Sequence, residues 1–145
     1  MYKNILIATD GSELALKAVK QGLALAKALN AKATVTTVTE HWATMVTGEM
    51  GMAFPVEDFE KGCAANAATI LAGATDVAKT VGISCETVHV KGQFPAEGII
   101  ETAQKRGCDL IVMSSHGRRG VSRLLMGSQA NGVVTHSHVP VLICR

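Results

Sequence analysis

The side chains with the clearest chemical use in this sequence are small or polar and fall in one segment. It reads Ser114-Ser115-His116-Gly117, then nine residues, then Gly127-Ser128. The segment joins the apolar run from Leu110 to Met113, which predicts a buried strand, to a helix predicted to begin near Ser128. Glycines let backbone N–H groups approach a ligand, and a helix N-terminus adds unpaired donors with partial positive charge. The segment therefore favours the binding of an anion, most simply a phosphate group.

Charged and ionisable side chains in the same segment allow more than one interpretation. Arg118, Arg119 and Arg123 could neutralise phosphate oxygens with their guanidinium groups, but a solvated basic face has the same composition. His116 could transfer protons, yet no obvious acid or nucleophile pairs with it. We expect His116 to be a hydrogen-bonded loop histidine, and we assign no catalytic residue.

Length and composition restrict the classes of protein that the sequence can encode. Its 145 residues predict one domain, spanning residues 1–145, whose core needs no disulfide or metal. Only 3% of the residues are aromatic and the formal net charge is +2, so nucleic acid is not expected as a partner. No apolar run approaches the ~20 residues of a membrane span. We expect a cytoplasmic protein without membrane contact.

The four cysteines are widely scattered, and no Cys-x-x-Cys pair occurs. They lack both the local spacing of a zinc site and the density of a disulfide scaffold. We expect reduced, mostly buried thiols with structural roles, and no metal bound by protein side chains alone. Cys108 is the one candidate for an activated thiol, because Lys105 and Arg106 precede it.

Apolar runs alternate with helical patterns along the whole chain. The predicted strands are apolar or rich in β-branched residues and span 3–8, 34–39, 83–90, 110–113 and 139–144. The predicted helices begin and end at capping or breaking residues and span 12–30, 56–81, 95–107 and a segment from 128. With right-handed crossovers, this pattern predicts an α/β fold, a single-domain open five-stranded parallel sheet with helices on both faces. The stretch from Glu40 to Pro55 has no periodicity and predicts a long mobile connection or lid.

Five strands in such a pattern commonly take the order 3-2-1-4-5, in which the first and fourth strands are neighbours. Ligands of open α/β sheets bind at the carboxyl ends of the strands, where the strand order reverses. The turn at Thr9-Asp10 should then face the segment from Ser114 to Ser128 across one crevice. Asp10 also has a simpler interpretation, because Asp-Gly is a common turn pair and the carboxylate could merely cap that turn.

The first twelve residues, from Met1 to Ser12, together with Ser-His-Gly-Arg-Arg-Gly from residue 115 and Gly-Ser at 127, closely resemble the universal stress protein family. The resemblance spans the whole chain. It implies the same strand order, a homodimer, and a motif Gly-x-x-Gly, nine residues, Gly-Ser that holds the phosphates and ribose of ATP. The chain contains neither a Walker motif nor Gly-x-Gly-x-x-Gly, so any ATP hydrolysis should be slow.

The resemblance also assigns individual residues to an ATP site. Gly117, Gly127 and Ser128 match the phosphate-holding residues, Asp10 matches the acid after the first strand, and Val38 matches the residue beside adenine. Neighbouring positions complete the predicted site, which the resemblance implies is filled by ATP with Mg²⁺: Ala8, Thr9, Met113, Ser114, His116, Arg118, Arg119 and Gln129.

Ser114 departs from the motif, whose first residue is glycine. If that position requires a positive φ, a side chain there costs roughly 1–2 kcal/mol and weakens binding. If φ is negative, the serine costs little and its hydroxyl could donate to a phosphate oxygen.

Three functions are compatible with these observations. The first is an ATP-binding homodimeric regulator of the stress response that is not a dedicated enzyme. The second is a stress protein that binds no nucleotide and acts through protein contacts. The third, an enzyme acting on a phosphorylated small molecule, is the least favoured because no general base is evident. We expect the homodimer to form through the apolar edge strand from Val139 to Cys144, pairing antiparallel with its copy.

Overall fold

The protein is a five-stranded parallel sheet covered by helices on both faces. A computed structural model describes residues 1–45, 55–117 and 126–145. The strand order is β3-β2-β1-β4-β5, and every neighbouring pair is parallel, as the sequence predicts. The strands are β1 (Asn4–Ala8), β2 (Lys32–Thr39), β3 (Glu86–Lys91), β4 (Leu110–Ser114) and β5 (Val141–Cys144).

The helices of the described residues begin and end largely where the sequence signals predict. They are α1 (Glu13–Leu29), α2 (Trp42–Met45), α3 (Val56–Val81), α4 (Pro95–Lys105) and α5 (Ser128–His136). Ser12 caps α1 by accepting a hydrogen bond from the N–H of Ala15 at 3.3 Å, and Asn30 ends the helix in the left-handed conformation. Gly82 ends α3 with φ of 82°, which glycine adopts without strain.

Alternation along β1 divides the core into two layers. Ile5 and Ile7 face α1 and α3, whereas Leu6 and Ala8 face α4 and α5. All four are at most 7% exposed, because β1 is the central strand and both of its faces are covered. Gly22 lets α1 approach the sheet closely, since a Cβ there would stand 2.8 Å from Ile7 Cδ1.

Two predicted strands begin two or three residues earlier than the observed ones. The strand predicted from residue 83 begins at Glu86, because the N–H of Ile83 donates to Ala78 O at 3.0 Å and completes the end of α3. The strand predicted from residue 139 begins at Val141. Pro140 has no N–H for the ladder, although its carbonyl accepts from the N–H of Ile111 at 3.0 Å.

The predicted connection from Glu40 to Pro55 contains one helical turn that the sequence did not indicate. This turn is α2, in which the N–H of Thr44 donates to the carbonyl of His41 at 2.9 Å. The remainder, residues 46–54, lies outside the described residues. Among the described helices, none combines the length and apolar character that crossing a bilayer requires.

Candidate functional site

One wall of the predicted site is the turn that follows β1. The N–H of Thr9 donates to Thr36 O at 2.9 Å, which extends the pairing of β1 with β2 beyond Ala8. Gly11 then takes φ of 80°, and the Oδ1 atom of Asp10 accepts from the N–H of Ser12 at 2.9 Å. Asp10 therefore does cap the turn before α1, as its simpler interpretation predicts.

The opposite wall is the carboxyl end of β4. Met113, Ser114 and Ser115 are buried, at 6–7% exposure, and the N–H of Ser115 donates to Cys144 O at 2.9 Å. The Ser114 hydroxyl donates to the carbonyl of His116 at 2.7 Å, and Ser115 Oγ lies 3.1 Å from Nδ1 of His116. His116 is therefore a hydrogen-bonded loop residue. These bonds fix the chain where it leaves the sheet.

The structure excludes a strained backbone at Ser114. Within the described residues, Asn30 is the one non-glycine residue with a positive φ. Ser114 therefore carries no cost for replacing the glycine of the motif. Its single hydroxyl proton is already donated to His116 O, so in this conformation it does not donate to a phosphate oxygen.

The two walls meet at Gly117. A Cβ built on this residue would overlap Oδ2 of Asp10, so only glycine allows the two loops to approach this closely. The β1 and β4 strands are direct neighbours, with Ile5 opposite Leu110 and Ile7 opposite Val112. The reversal of strand order, where the sequence predicts a crevice, therefore lies between β1 and β4, and the loops that follow these strands meet at Asp10 and Gly117.

The N-terminus of α5 lies beside the carboxyl end of β4. Gly127 precedes this helix with φ of −60°, and its N–H donates to Ser115 O at 2.8 Å. A Cβ on Gly127 would stand 3.0 Å from that same carbonyl oxygen, which is tighter than ordinary packing. No side chain caps the helix, so the N–H groups of its first turn have no side-chain acceptor among the described residues.

Of the predicted Gln129 and the three predicted arginines, the structure describes only Gln129. The Oε1 atom of Gln129 accepts from the N–H of Ala96 at 3.1 Å, at the start of α4. The side chain of Gln129 therefore supports a neighbouring helix, and its backbone N–H lies in the first turn of α5. Arg118, Arg119 and Arg123 lie outside the described residues.

On the other side of β1, the carboxyl ends of β2 and β3 lie beside α4. Val38 packs against Gly98 of α4, where a Cβ would stand 2.9 Å from Val38 Cγ1. Among the described residues, two buried side-chain atoms lack a hydrogen-bond partner, Trp42 Nε1 and Gln93 Oε1. Both residues follow the carboxyl ends of strands, Trp42 after β2 and Gln93 after β3.

Sequence reasoning missed Trp42 and Gln93. The rule that ligands lie at the carboxyl ends of strands was applied to β1 and β4 but not to β2 and β3. Extending it to the end of β3 would have singled out Gln93, the first polar side chain after Gly92.

The cysteines take no part in this site. Cys108 and Cys144 are buried, and Cys63 and Cys85 are partly buried. Burial raises the pKa of Cys108, and this outweighs the opposing effect of Arg106. Burial also raises the pKa of the other three thiols, so all four are protonated at neutral pH.

Comparison with known proteins agrees with this geometry. The model of the universal stress protein family matches residues 1–145. Universal stress protein MJ0531 of Methanocaldococcus jannaschii is 32% identical over the whole of this chain and 83% of its own length. Universal stress protein YxiE of Bacillus subtilis is 30% identical, and the match covers both chains completely.

Known structures share the fold over nearly the whole chain. The structure of protein MJ0577 has a TM-score of 0.82 and 27% identity, covering 99% of this chain and 96% of the other. A crystal structure of a universal stress protein in complex with cAMP has a TM-score of 0.70 and 28% identity, covering 99% and 97%. Family model, relatives and structures thus agree, and the chain belongs to the universal stress protein family.

Proposed function

We propose that this protein binds ATP, with Mg²⁺, in the crevice between Asp10 and the segment from Ser114 to Ser128. One observation carries the proposal: the loop after β1 and the loop after β4 touch at Gly117, directly beside the uncapped N-terminus of α5. Glycine at this contact and a free helix terminus are what a phosphate group requires of a protein backbone.

The triphosphate is expected on the backbone of Gly117 and Gly127 and on the hydroxyl of Ser128. Gly127 has an extended backbone that any residue could adopt. Glycine is therefore favoured here for the space left by its missing Cβ, and not for its backbone conformation. The first-turn N–H groups of α5 add donors and the positive end of the helix dipole. The exposed Ser128 hydroxyl supplies one further donor.

Asp10 supplies the carboxylate expected beside a bound cation. Its carboxylate faces the same glycine on which phosphate oxygens would rest, and two anionic groups repel each other at such a distance. Mg²⁺ prefers phosphate oxygens together with one or two carboxylates, so a bound Mg²⁺ would remove this repulsion. If Mg²⁺ does not contact Asp10, the carboxylate would instead face the ribose, whose hydroxyl groups can donate hydrogen bonds to it.

The comparisons support an adenine nucleotide as the class of ligand. The universal stress protein crystallised with cAMP is 28% identical to this chain over nearly its full length. A cyclic monophosphate has the same base and sugar as ATP but a single phosphate. The phosphate chain length is therefore the part of the proposal that most needs measurement.

Titration calorimetry of the purified protein with ATP tests the proposal. We expect saturable heat with ATP and Mg²⁺, weaker binding when EDTA removes the metal, and no rapid release of inorganic phosphate. Absence of heat at millimolar ATP and Mg²⁺ would contradict the proposal. It would favour instead a stress protein that acts through protein contacts.

We further propose a cytoplasmic homodimer that pairs β5 with its copy and acts as a regulator rather than an enzyme. The strand β5 is at the edge of the sheet, and Leu142 on it is 41% exposed. An apolar edge strand has unpaired backbone groups that a second copy can satisfy.

Sedimentation velocity at tens of micromolar tests the assembly. We expect a dimer for the unmodified protein and a shift toward monomer for Leu142→Asp. Val56→Asp is the matched control, because Val56 is equally apolar and 43% exposed but lies on α3. A monomeric unmodified protein, or equal effects of the two substitutions, would contradict the proposed interface.

A further inference from the structure

Gln93 contributes a buried hydrogen-bond acceptor to the end of the crevice beyond β1. Its Oε1 atom is shielded from solvent and has no partner among the described residues. Buried polar atoms are almost always satisfied in native proteins, so an exception requires an explanation. An exception at the ligand-binding edge of a parallel sheet is explained if a ligand supplies the missing donor.

Glu101 determines which way the Gln93 amide points. Gln93 Nε2 donates to Glu101 Oε2 at 2.6 Å, and Lys105 forms an ion pair with the same carboxylate. Hydrogen bonds from Lys105 and from Gln93 hold the pKa of Glu101 below its ordinary value, so this group is ionised at neutral pH. An ionised carboxylate can only accept, so the amide nitrogen must face it. The amide oxygen therefore faces away from Glu101.

The oxygen faces the residue that lines the base end of the proposed site. A Cβ on Gly98 would stand 3.2 Å from Gln93 Oε1 and 3.1 Å from Val38 Cγ2, so both side chains lie against the same glycine. Backbone bonds hold this arrangement, since the N–H groups of Gly92 and Gln93 donate to Thr39 O at 2.8 and 3.4 Å. Gln93 is thus fixed beside Val38 by both main chain and side chain.

The position of Gln93 along the sheet edge matches the length of a nucleotide. Neighbouring strands lie about 4.8 Å apart, so the ends of β2 and β3 are roughly 7 and 12 Å from the junction of β1 and β4. A triphosphate held at that junction can extend its nucleoside over β2. Its base then reaches Val38 and Gln93.

We propose that Gln93 Oε1 accepts a hydrogen bond from the exocyclic amino group of adenine and so selects adenine nucleotides over guanine nucleotides. This inference rests on the proposed function. Guanine has a carbonyl oxygen in place of that amino group, so two acceptors would face each other and one would remain unsatisfied. Binding requires a neighbouring side chain to move aside, because Gln93 Oε1 is shielded from solvent in the free protein.

The test compares ATP with the triphosphate of purine riboside, which lacks the exocyclic amino group, by titration calorimetry with Mg²⁺. We expect the unmodified protein to bind ATP about tenfold more tightly, the effect of one net hydrogen bond. In Gln93→Met, which keeps the length but removes the acceptor, the ratio of the two dissociation constants should fall to about one. Gln93→Leu repeats the test with a second side chain.

Two further variants serve as control and as a test of orientation. Gln104→Met makes the same chemical change at an exposed position of α4 and should keep the tenfold ratio. Glu101→Ala releases the amide without removing the acceptor and should give an intermediate ratio, which identifies Glu101 as a positioning residue. Thermal unfolding of each variant checks that the fold is retained.

Each result has a distinct meaning. A tenfold ratio that survives in both Gln93 variants, or equal binding of the two triphosphates by the unmodified protein, overturns this inference alone. If the unmodified protein binds neither triphosphate, the proposed function fails and this inference fails with it. An unchanged ratio in Glu101→Ala overturns the positioning role of Glu101.

Discussion

The two ends of the sheet differ in how their polar groups are satisfied. At the amino ends of the strands is a cavity of about 800 Å³, lined in part by Lys27, Asn4 and Arg106. The side chains that line it donate hydrogen bonds to backbone carbonyls of neighbouring elements. Lys27 Nζ donates to Val81 O at 2.7 Å, and Asn4 Nδ2 donates to Arg106 O at 2.8 Å. At the carboxyl ends, by contrast, lie an uncapped helix and two buried atoms without partners among the described residues.

This difference separates the volume of a cavity from the availability of the polar groups that line it. The large cavity is bordered by the C-terminal ends of α1 and α3, where Lys27 serves as a capping cation. Its polar groups stabilise the fold. At the opposite end, the N-terminus of α5 has no side-chain cap and two buried polar atoms have no partner among the described residues, as the proposed site would require. Substitutions at the two ends should therefore separate ligand binding from stability.

The largest effect is expected for Gly127→Val. A branched side chain would occupy the space in which phosphates approach the backbone and would crowd Ser115 O. We expect no measurable ATP binding in calorimetry, with circular dichroism unchanged. Gly73→Val is the matched control, because a Cβ on Gly73 meets nothing within 4 Å. Binding by Gly127→Val comparable to that of the control would show that the phosphates lie elsewhere.

Ser128→Ala should have the next largest effect. It removes one hydrogen bond to a charged group, which corresponds to about 1.5–3 kcal/mol, or roughly tenfold to 150-fold in the dissociation constant for ATP. Ser84→Ala makes the same change beside the amino-end cavity and should leave that constant unchanged. Equal losses in the two variants would remove the distinction between the ends.

Asp109→Asn should affect stability and leave binding unchanged. The Asp109 carboxylate accepts from the N–H groups of Lys3 and Asn4 at 2.8 and 3.0 Å, which ties β4 to β1 at the amino end. Burial alone would raise the pKa of Asp109, but these backbone donors outweigh it and lower the pKa. Asparagine turns an NH₂ group toward one of the two donors, so we expect a loss of about 1 kcal/mol in the free energy of unfolding at pH 7.

The pH dependence of that loss follows from the lowered pKa. A carboxylate with a lowered folded-state pKa stabilises the protein above the pKa of the unfolded chain, near 4. This contribution disappears as the pH falls through the folded-state pKa. Urea titrations at pH 7 and at pH 3 should therefore show a smaller pH effect for Asp109→Asn than for the unmodified protein. The exposed Asp76→Asn should behave like the unmodified protein.

Ser114→Gly should have the smallest effect on binding. It restores the glycine of the family motif and removes the hydrogen bond to His116 O, which is internal to the loop. We expect a change in the dissociation constant of less than about tenfold in either direction. A larger fall in affinity would mean that the serine hydroxyl itself contacts the phosphates.

Most of the fold could be predicted because its signals are local. The cap at Ser12, the left-handed residues Asn30 and Gly82 and the proline at the first position of α4 each mark a helix end independently of the rest of the chain. The start of β3 was wrong because the apolar Ile83 belongs to the end of α3, a contact that alternation along the sequence does not reveal.

The site could be predicted only in part. The sequence motif indicates both glycines, and the strand order brings Gly117 to Asp10. The side-chain bonds of Gln129 and Gln93 depend on how α4 packs against α5 and β2, so no local pattern predicts them. Gln129 was predicted from its place beside the motif but without its hydrogen bond to Ala96, whereas Gln93 and Trp42 were missed.

The central position of β1 has a consequence for synthesis of the chain. The amino end of β1 bonds to Asp109, which lies 106 residues further along the chain. At about 5–20 residues per second, the edge of β1 that pairs with β4 remains open for about 5–20 s after it leaves the ribosome. The crevice between Asp10 and Gly117 does not exist during that time. A ligand of these two loops therefore cannot bind the nascent chain until both loops have left the ribosome.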